Sequence, residues 1–390
     1  MVAWWKGKYF TGDWFGARDA LAARGFTFDG RWRGLYCGVL ASENGGRGFF
    51  DQEIHFGVRW DLDKLFGVET LKGLSAFGEA RWRDPASTDD PNQAVEANPI
   101  FNPSPYESGV GWRLLSFGLK YTAPEFFGSK DGLSLTAGWL RPYKDFLVQP
   151  LSVNFANAAI QLTKGLGGDI PFSSSFSSWG GILEVRPAKW SYTKAGLFMS
   201  YPEATFSENH GLMFQGYAPD TSLNSLYFMG ETGVTPEIGP GRLPGKYAFG
   251  GYFYGEEAGG GNKYGFYWQA DQMLYRESSP ARSPEGLSMF SMATVAPPYN
   301  NQFPFYAQGG LVYQGMVPGR GRDLTQVAAG IGQYANRPGK TSTTVIEGGY
   351  RVQVNGSTWF QPMVQFLVRP NGSSDVANAA ILGFYAGVNF

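Results

Sequence analysis

The chain has 390 residues, of which 43% are hydrophobic, 16% are aromatic and 17% are charged, with a formal net charge of -1. A nearly neutral chain has no basic surplus for a nucleic-acid partner, and no run of about 18 apolar residues marks a membrane-spanning helix. Cys37 is the single cysteine, which excludes an intrachain disulfide. Few charges, many aromatic residues and 55 glycines are typical of short strands joined by tight turns. A membrane protein of this composition therefore has to be a β-barrel.

The N-terminal region carries the one helix that the sequence predicts. Residues 11–25 read TGDWFGARDALAARG, in which apolar residues recur at helical spacing between a capping Asp13 and a closing Gly25. We therefore divide the chain into an N-terminal helical segment, residues 1–29, and a barrel, residues 30–390. The opening MVAWWKGKYF lacks the apolar core of a signal peptide, so we expect a mature chain whose leader has been removed.

Alternation of apolar and polar residues after the helix predicts about 16 strands. We place them at 30–42, 51–62, 74–83, 112–121, 133–141, 179–187, 191–201, 225–235, 246–254, 264–275, 287–295, 304–314, 323–334, 342–355, 358–369 and 379–390. The connections at 84–111, 142–178 and 202–224 are long and follow odd-numbered strands, whereas even-numbered strands are often followed by short turns. The connection after the tenth strand, RESSPARSPEG, is the exception. Long loops on one side are typical of an up-and-down outer-membrane barrel, and an even strand count places both termini in the periplasm.

The last predicted strand, residues 379–390, reads AAILGFYAGVNF. Its alternate residues form one apolar face, with Leu382, Phe384 and Phe390, and one small or polar face, with Tyr385. We expect the apolar face to contact lipid and the other face to line the lumen. Closing the sheet into a barrel removes the exposed edge that such a strand would otherwise leave. A buried strand of a soluble β-sandwich is the alternative interpretation.

Four segments spread along the whole chain carry a family resemblance. They read YFTGDWFGARDALAARGFTFDG, GFYWQADQMLYRES, PFYAQGGLVYQGMVPGRGRD and YRVQVNGSTWFQPMVQFLVRPNGSSDVANAAILGFYAGVNF. Together they resemble the carbohydrate-selective porins of the OprB type. The resemblance implies an all-β fold in the bacterial outer membrane: a transmembrane antiparallel up-and-down β-barrel of about 16 strands with a short N-terminal helix. It also implies that sugars diffuse through a lumen that inward-folded loops make narrow.

Charged residues on the inner face of the third strand are the leading candidates for a constriction. In FGEARWRD the alternation places Glu79, Arg81 and Arg83 together in the lumen, immediately before the loop at 84–111. Arg113 lies where the next strand returns from that loop. Charges of both signs on one wall suit a hydroxyl-rich solute, and a guanidinium fork can bond adjacent hydroxyls. The alternative is that these side chains only face the water of the lumen.

Five further polar residues are candidates for contact with a sugar. Tyr267, Gln269 and Asp271 share the inward face of GFYWQADQ, and Asn154 and Asn157 lie in SVNFANAA, within a long loop that can fold inward. Structural hydrogen bonding is the alternative role for each of them. Outward-facing aromatic residues are expected to belong to the membrane band rather than to a binding site.

Signals for catalysis are weak. The chain has two histidines, His55 and His210, too few for a typical histidine metal cluster. No nucleophile elbow of the G-x-S-x-G type is present. Asp51 and Glu53 share the inner face of the second strand, but side chains two apart on a strand point the same way rather than across a bond to be cleaved.

We therefore predict a passive outer-membrane porin for mono- or small oligosaccharides that needs no cofactor. Its partners are expected to be carbohydrate solutes and outer-membrane lipid, without nucleic acid, and the chain is expected to be a monomer or a homotrimer. Two other classes stay open. A barrel hydrolase would depend on His55 or His210, and a secreted soluble all-β glycan-binding protein would purify without detergent. Within transport, the sequence does not separate sugars from other solutes such as anions.

Overall fold

A closed antiparallel β-barrel forms most of the computed structural model, which describes residues 7–85, 91–106, 110–126, 128–161, 177–199, 210, 226–255, 262–277, 283–299, 301–335 and 337–390. Its strands are β1 Phe26–Ala41, β2 Gly48–Asp61, β3 Leu74–Pro85, β4 Gly111–Phe126, β5 Ser129–Leu140, β6 Ser178–Ala188, β7 Ser191–Met199, β8 Leu226–Val234, β9 Glu237–Ile238, β10 Leu243–Tyr254, β11 Lys263–Arg276, β12 Gly286–Val295, β13 Phe305–Gln314, β14 Leu324–Gln333, β15 Ser342–Gln353, β16 Thr358–Val368 and β17 Ala379–Asn389.

The ring contains 16 strands, as the alternation predicts. Neighbours along the chain pair antiparallel, β8 pairs directly with β10, and β17 pairs with β1. Among the described strands, the extra strand, β9, pairs with the start of β10 alone, and its two residues are too few to show an alternation in the sequence. Each of the predicted strands is therefore confirmed, and β9 is an addition.

Short helices lie before β1 and in the connections. The α-helices are Ala17–Ala23, Leu62–Phe66, Pro91–Val95, Pro142–Asp145 and Ala158–Gln161, and the 3-10 helices are Trp14–Gly16, Glu69–Leu71, Pro99–Phe101 and Ser152–Asn154. The predicted N-terminal helix is confirmed but shorter than residues 11–25. The predicted cap is wrong, because Gly16 interrupts the helix at φ 88 and the Asp13 side chain makes no capping hydrogen bond. Among the described residues, no helix is long and apolar enough to cross a membrane.

The seam of the ring joins the two ends of the chain. The Phe390 amide donates to the Gly30 carbonyl at 2.8 Å, and the Gly30 amide donates to the Phe390 carbonyl at 2.9 Å. The Phe390 ring lies over Gly30, where a Cβ atom would be 2.6 Å from the ring. A glycine is therefore required at the point where the last side chain crosses the seam.

The two faces of the wall follow the predicted alternation. In β17, Leu382 and Phe384 are exposed on the outer face, whereas Ile381 and Tyr385 are buried inside. Large apolar side chains continue the outer surface on other strands, for example at Trp112, Trp179, Phe249, Phe266, Trp268 and Phe366. Such an outer surface is the one that lipid covers in a membrane barrel.

Two connections fold into the lumen from the end of the barrel where β3 and β5 terminate, here called the loop end. We call residues 91–106 the first inner loop and residues 141–161 the second inner loop. Phe101, Phe155 and Ile160 from these loops are buried in an apolar core with inward residues of β1 and β12–β17. Phe146 and Leu147 belong to a second core against β6–β12. The predicted loop at 202–224 lies outside the described residues, apart from His210.

Candidate solute pathway

A repeated triplet places arginines on the inner wall. Residues 31–33 in β1 and 81–83 in β3 both read Arg-Trp-Arg, and successive residues of a strand point to opposite faces. The arginines therefore enter the lumen, while the tryptophans face outward. These four arginines, with Arg141 and Arg351, border a central cavity of about 310 Å³. The cavity lies between the inner loops on one side and β1–β4 and β15–β17 on the other.

Glu53 is the carboxylate that pairs with the β3 arginines. Arg83 Nε donates to Glu53 Oε2 at 2.7 Å, and Arg81 Nη1 is 3.7 Å from the same oxygen. The β2–β3 register sets this pair, because it places Glu53 opposite Arg83. All three side chains are buried, so that the ion pair holds both guanidinium groups in fixed orientations.

Glu79 forms a second charged cluster, made of Glu79, Arg141, Lys144 and His55. The Glu79 carboxylate accepts hydrogen bonds from Arg141 and Lys144, and His55 Nε2 lies 3.7 Å from it. Arg141 borders both the central cavity and another cavity of about 320 Å³, which Glu79 and Lys144 also line. The Glu79 cluster thus stands between the two cavities.

Burial shifts the pKa values of two groups, Lys144 and Asp145, in the helix Pro142–Asp145 at the start of the second inner loop. It lowers the pKa of the Lys144 ammonium and raises the pKa of the Asp145 carboxyl, although Lys144 acts against the second shift. Lys194 donates to the Asp145 backbone carbonyl at 2.5 Å. The start of the second inner loop is therefore fixed by charged groups, of which Arg141 is buried and Lys144 is partly exposed.

Trp359 and Asn154 complete the far side of the central cavity. The guanidinium groups of Arg351 and Arg33 are 4.0 and 5.2 Å from the Trp359 ring centroid, within cation–π distance. Arg351 donates to Asn154 Oδ1 at 2.8 Å and to Gln361 Oε1 at 2.8 Å. Asn154 therefore meets the wall through an arginine, at the edge of the cavity.

A buried carboxylate on β8 fixes one end of the second inner loop. Glu231 accepts from the hydroxyls of Tyr192 and Tyr267 at 2.9 Å each and from Gln269 Nε2 at 3.2 Å. It also accepts from the backbone amide of Leu147 at 3.2 Å. Tyr267 and Gln269 therefore fix the Glu231 carboxylate, which in turn binds the second inner loop.

A second carboxylate, on β15, fixes the other end of the same loop. Glu347 accepts from the backbone amides of Ala156 and Asn157 at 2.7 Å each. The Asn157 side chain donates to Gln365 Oε1 and to the Phe101 carbonyl, both at 3.1 Å, which ties the two inner loops together. Asn157 is 0% exposed, so it is part of the packing here.

The structure divides the predicted site residues into four groups. Glu79, Arg81, Arg83 and Arg113 come together on one wall, where Arg113 is opposite Arg81 in the β3–β4 register. Asn154 faces them across the cavity, while Asn157, Tyr267 and Gln269 support the second inner loop. Asp271 lines a separate cavity of about 530 Å³ together with Lys246, and Asn154 borders that cavity too.

Several residues of the cavity are not among the predicted candidates. Arg31 and Arg33 carry the same Arg-Trp-Arg signal as the third strand, so the sequence contains enough information to find them. Arg141, Arg351 and Trp359 have no such signal, because their place in the cavity depends on how the second inner loop packs.

The comparisons with known proteins agree with this architecture. The family model of the carbohydrate-selective porin, OprB family, matches residues 50–260 and 255–390. Porin B of Pseudomonas aeruginosa is 23% identical over 427 residues, which cover 96% of this chain and 90% of that protein. The high pH structure of Pseudomonas putida OprB superposes with a TM-score of 0.83 at 20% identity, over 99% of each chain. An engineered variant of the Rh. blastica porin gives a TM-score of 0.54 at 10% identity, over 94% of this chain and 100% of that one.

The likeness to the solved structures supports the barrel fold, and the family match covers far more than half of the sequence. The chain therefore belongs to the OprB family of carbohydrate-selective porins and is a sugar porin of the bacterial outer membrane.

Proposed function

We propose that sugars diffuse passively through the central cavity and that the arginines of its wall select them. The observation that carries this proposal is the combination of a narrow cavity with six bordering arginines. Guanidinium groups present several donors in a fixed plane, which match the paired hydroxyls of a sugar ring. The second inner loop sets the width, and Arg81, Arg83 and Asn154 are the proposed contacts in the central cavity. Glu79 is the proposed contact in the adjoining cavity, and Arg113 supports Arg81 from the neighbouring strand.

Transport through such a site needs binding that is favourable but weak, so that the solute can leave. The ion pair of Glu53 with Arg81 and Arg83 keeps these groups oriented before the sugar arrives, which reduces the entropic cost of each hydrogen bond. A sugar that moves on then meets Arg141, which borders the next cavity as well. The proposed route is thus two weak sites in series, separated by the Glu79 cluster.

Diffusion without chemical turnover is the second part of the proposal. His210 is exposed, its Nδ1 is 2.9 Å from the Trp112 carbonyl, and it is not among the described residues that line the cavity. His55 borders the cavity, but neither ring nitrogen has a hydrogen-bond partner among the described residues. A hydrolytic triad needs a histidine held between a nucleophile and an acid, and this geometry does not favour one.

The test is single-channel recording of the purified protein in planar bilayers, with glucose added at rising concentrations. We expect a stable ohmic current that glucose reduces in a saturable manner, with weaker block in the Arg81→Gln variant. The Arg242→Gln variant, altered at an exposed turn residue paired with Glu237, is the matched control. Channels that conduct ions but never respond to glucose would contradict the proposed selectivity.

We also infer that the loop end of the barrel faces the cell exterior and that both chain ends lie on the periplasmic side. Barrels of this kind have long loops outside the cell and short turns in the periplasm. The Phe10 amide donates to the Asn389 carbonyl at 2.7 Å, so the two ends of the described chain share one side of the barrel. The proposed division into a segment at 1–29 and a barrel at 30–390 keeps the N-terminal helix on that side, although β1 already begins at Phe26.

A further inference from the structure

The central cavity has a surplus of positive charge. Six guanidinium groups border it, and the carboxylates that face them are Glu53 and, beside Arg141, Glu79. Glu347, which acts electrostatically on Arg351, is a third carboxylate, so among the described residues around this cavity positive groups exceed negative ones by three. The whole chain has a net charge of only -1, so the surplus is a local property of the pathway.

Three of the arginines have no carboxylate within ion-pair distance in the described part of the chain, although Glu53 acts on Arg33 and Glu347 acts on Arg351 from farther away. Arg33 donates to the Asn389 side-chain oxygen and to backbone carbonyls, and Arg351 donates to neutral amide groups. Arg31 is exposed to the lumen opposite His55 in the β1–β2 register, and no described acid lies within ion-pair distance of it. These three guanidinium groups keep positive charge available to a solute.

A neutral sugar can use such a wall only in part. A guanidinium group donates and never accepts, so each sugar hydroxyl can meet it only as an acceptor. A carboxylate has two oxygens that match the guanidinium fork in a bidentate pair, and its negative charge adds ionic attraction that a neutral hydroxyl on the same guanidinium lacks. The wall is therefore chemically better suited to a solute that carries a carboxylate as well as hydroxyls.

Neutral hydrogen-bonding groups complete the same cavity. The hydroxyls of Tyr106 and Tyr385 bond to each other, and Gln161 Nε2 donates to Tyr385 at 3.2 Å; all three residues line the cavity. Its volume of about 310 Å³ is at the lower end of the roughly 300–1,000 Å³ found for small-molecule sites. The space fits one sugar ring rather than an oligosaccharide.

From these observations we propose that the preferred solute of the central cavity is an acidic monosaccharide, such as a uronic or aldonic acid. Its carboxylate would meet the guanidinium groups of Arg31, Arg33 and Arg351, and its hydroxyls would meet the tyrosine and glutamine side chains. This inference rests on the proposed function, because it assumes that the cavity lies on the solute pathway.

The experiment compares two solutes with the same ring in planar bilayers at constant ionic strength. D-glucuronate carries the carboxylate, and D-glucuronamide is its uncharged counterpart; acetate is the carboxylate without the ring. We expect glucuronate to reduce the current at about tenfold lower concentration than glucuronamide, and acetate to have little effect. Arg31→Gln should weaken block by glucuronate about fivefold and block by glucuronamide less than about twofold. Arg242→Gln should change neither.

The outcomes separate this inference from the proposed function. Equal block by glucuronate and glucuronamide overturns the acidic-sugar inference and leaves the sugar pathway intact. Equal block by glucuronate and acetate also overturns it, because the cavity would then respond to any anion. Open channels that respond to no sugar, glucose included, overturn both proposals. The comparison of the two solutes on the unaltered protein keeps the test valid if an arginine variant fails to fold.

Discussion

The carboxylate of Glu79 connects a wall strand with the second inner loop. It belongs to β3, whereas Arg141 and Lys144, which donate to it, begin the loop. The Glu79 side chain is 13% exposed and the Arg141 side chain 6%, so this ion pair is largely shielded from water and is costly to break, whereas the Lys144 side chain is 47% exposed. One side chain therefore influences both the position of the loop and the charge of the pathway.

Replacing Glu79 by glutamine is expected to raise anion selectivity and to lower stability. The amide keeps the shape of the side chain but removes the carboxylate that pairs with Arg141 and Lys144, so the surplus of positive charge increases. Loss of one partner of a buried pair costs about 3 kcal/mol of the free energy of unfolding. Reversal potentials in a KCl gradient measure the selectivity, and urea unfolding measures the stability.

The control for this variant is Glu237→Gln, which removes an exposed carboxylate paired with Arg242 at 2.5 Å. It is expected to change neither the reversal potential nor the unfolding midpoint, since exposed pairs contribute about 0–1 kcal/mol. An unchanged reversal potential in Glu79→Gln would show that this carboxylate does not face the ion pathway.

The sequence alone places some of the cavity arginines in the lumen, but it gives no sign of the others. The period of two assigns Arg81 and Arg83 to the lumen, and the same triplet assigns Arg31 and Arg33. Whether such a side chain meets a solute or a neighbouring acid depends on cross-strand partners such as Glu53, which alternation within one strand does not reveal. Tyr267 shows the same limit, because its hydroxyl bonds to Glu231 on another strand.

The second inner loop is held in place by buried carboxylates rather than by its own secondary structure. Its helices, Pro142–Asp145 and Ala158–Gln161, are only four residues long, too short to be stable alone. Glu347 is 0% exposed and accepts two backbone amides of the loop. These bonds satisfy amides that would otherwise be buried without partners.

Glu347→Gln is expected to loosen this loop. The amide has a single acceptor oxygen, and its NH2 group faces one of the two backbone amides, so one hydrogen bond is replaced by a donor–donor contact. We expect a cost of about 2 kcal/mol in stability and a larger, noisier single-channel conductance. Glu277→Gln, at an exposed carboxylate that accepts from Tyr313 at 2.8 Å, is the control. A conductance equal to that of the unaltered protein would argue against a loop-set pore width.

The turn between β13 and β14 contains a carboxylate with an unusual titration. Asp323 is 2% exposed and accepts hydrogen bonds from Arg320 at 2.7 and 3.0 Å, from Tyr350 at 2.7 Å and from the Gln353 amide at 2.9 Å. Burial acts to raise the pKa of the Asp323 carboxyl, but these hydrogen bonds outweigh it, and the net pKa is below its ordinary value.

This lowered pKa predicts a stability that depends on pH. The unfolded chain binds a proton at Asp323 more readily than the folded protein does. The stabilisation that the Asp323 carboxylate contributes is therefore fully present above its pKa in the unfolded chain, about 3.9. It is lost as the pH falls through the lower, folded pKa. Asp323→Asn is expected to lower the free energy of unfolding by about 1–3 kcal/mol at neutral pH. It is also expected to make the loss of stability at acidic pH, the acid limb of the curve of stability against pH, less steep. Urea unfolding from pH 7 to pH 2 measures this, with the exposed Asp375→Asn as control. An equally steep acid limb in the Asp323→Asn variant would contradict the assignment.

At the scale of the whole molecule, the orientation in the membrane can be tested by cysteine labelling. Ser374 is exposed in the connection between β16 and β17, at the loop end, and Arg242 is exposed before β10, at the opposite end. Cys37 is 0% exposed, so it contributes little background. Ser374→Cys is expected to react with a membrane-impermeant maleimide in intact cells, and Arg242→Cys only after permeabilisation. The reverse pattern would invert the proposed orientation.

The sequence predicts the strands of the barrel wall far better than the loops inside the lumen. Strands such as β2 and β17 have an apolar face toward lipid and a small or polar face inside, a local pattern that a single strand displays. The inner loops follow no such pattern, because Phe101, Phe155 and Phe146 become buried only when distant strands assemble around them. Their inward folding is implied by the family resemblance, but their contacts appear only in three dimensions.

The second inner loop also has a mechanical consequence. Its amides are held by Glu231 on β8 and Glu347 on β15, strands that lie six places apart around the ring. Between these two strands, the loop crosses the lumen of the barrel, and an apolar core packs against each of its ends. A β-barrel with an empty lumen is easily deformed by lateral pressure, whereas a barrel whose lumen is crossed by a packed loop keeps its shape. The width of this pore should therefore be insensitive to the thickness and tension of the surrounding bilayer.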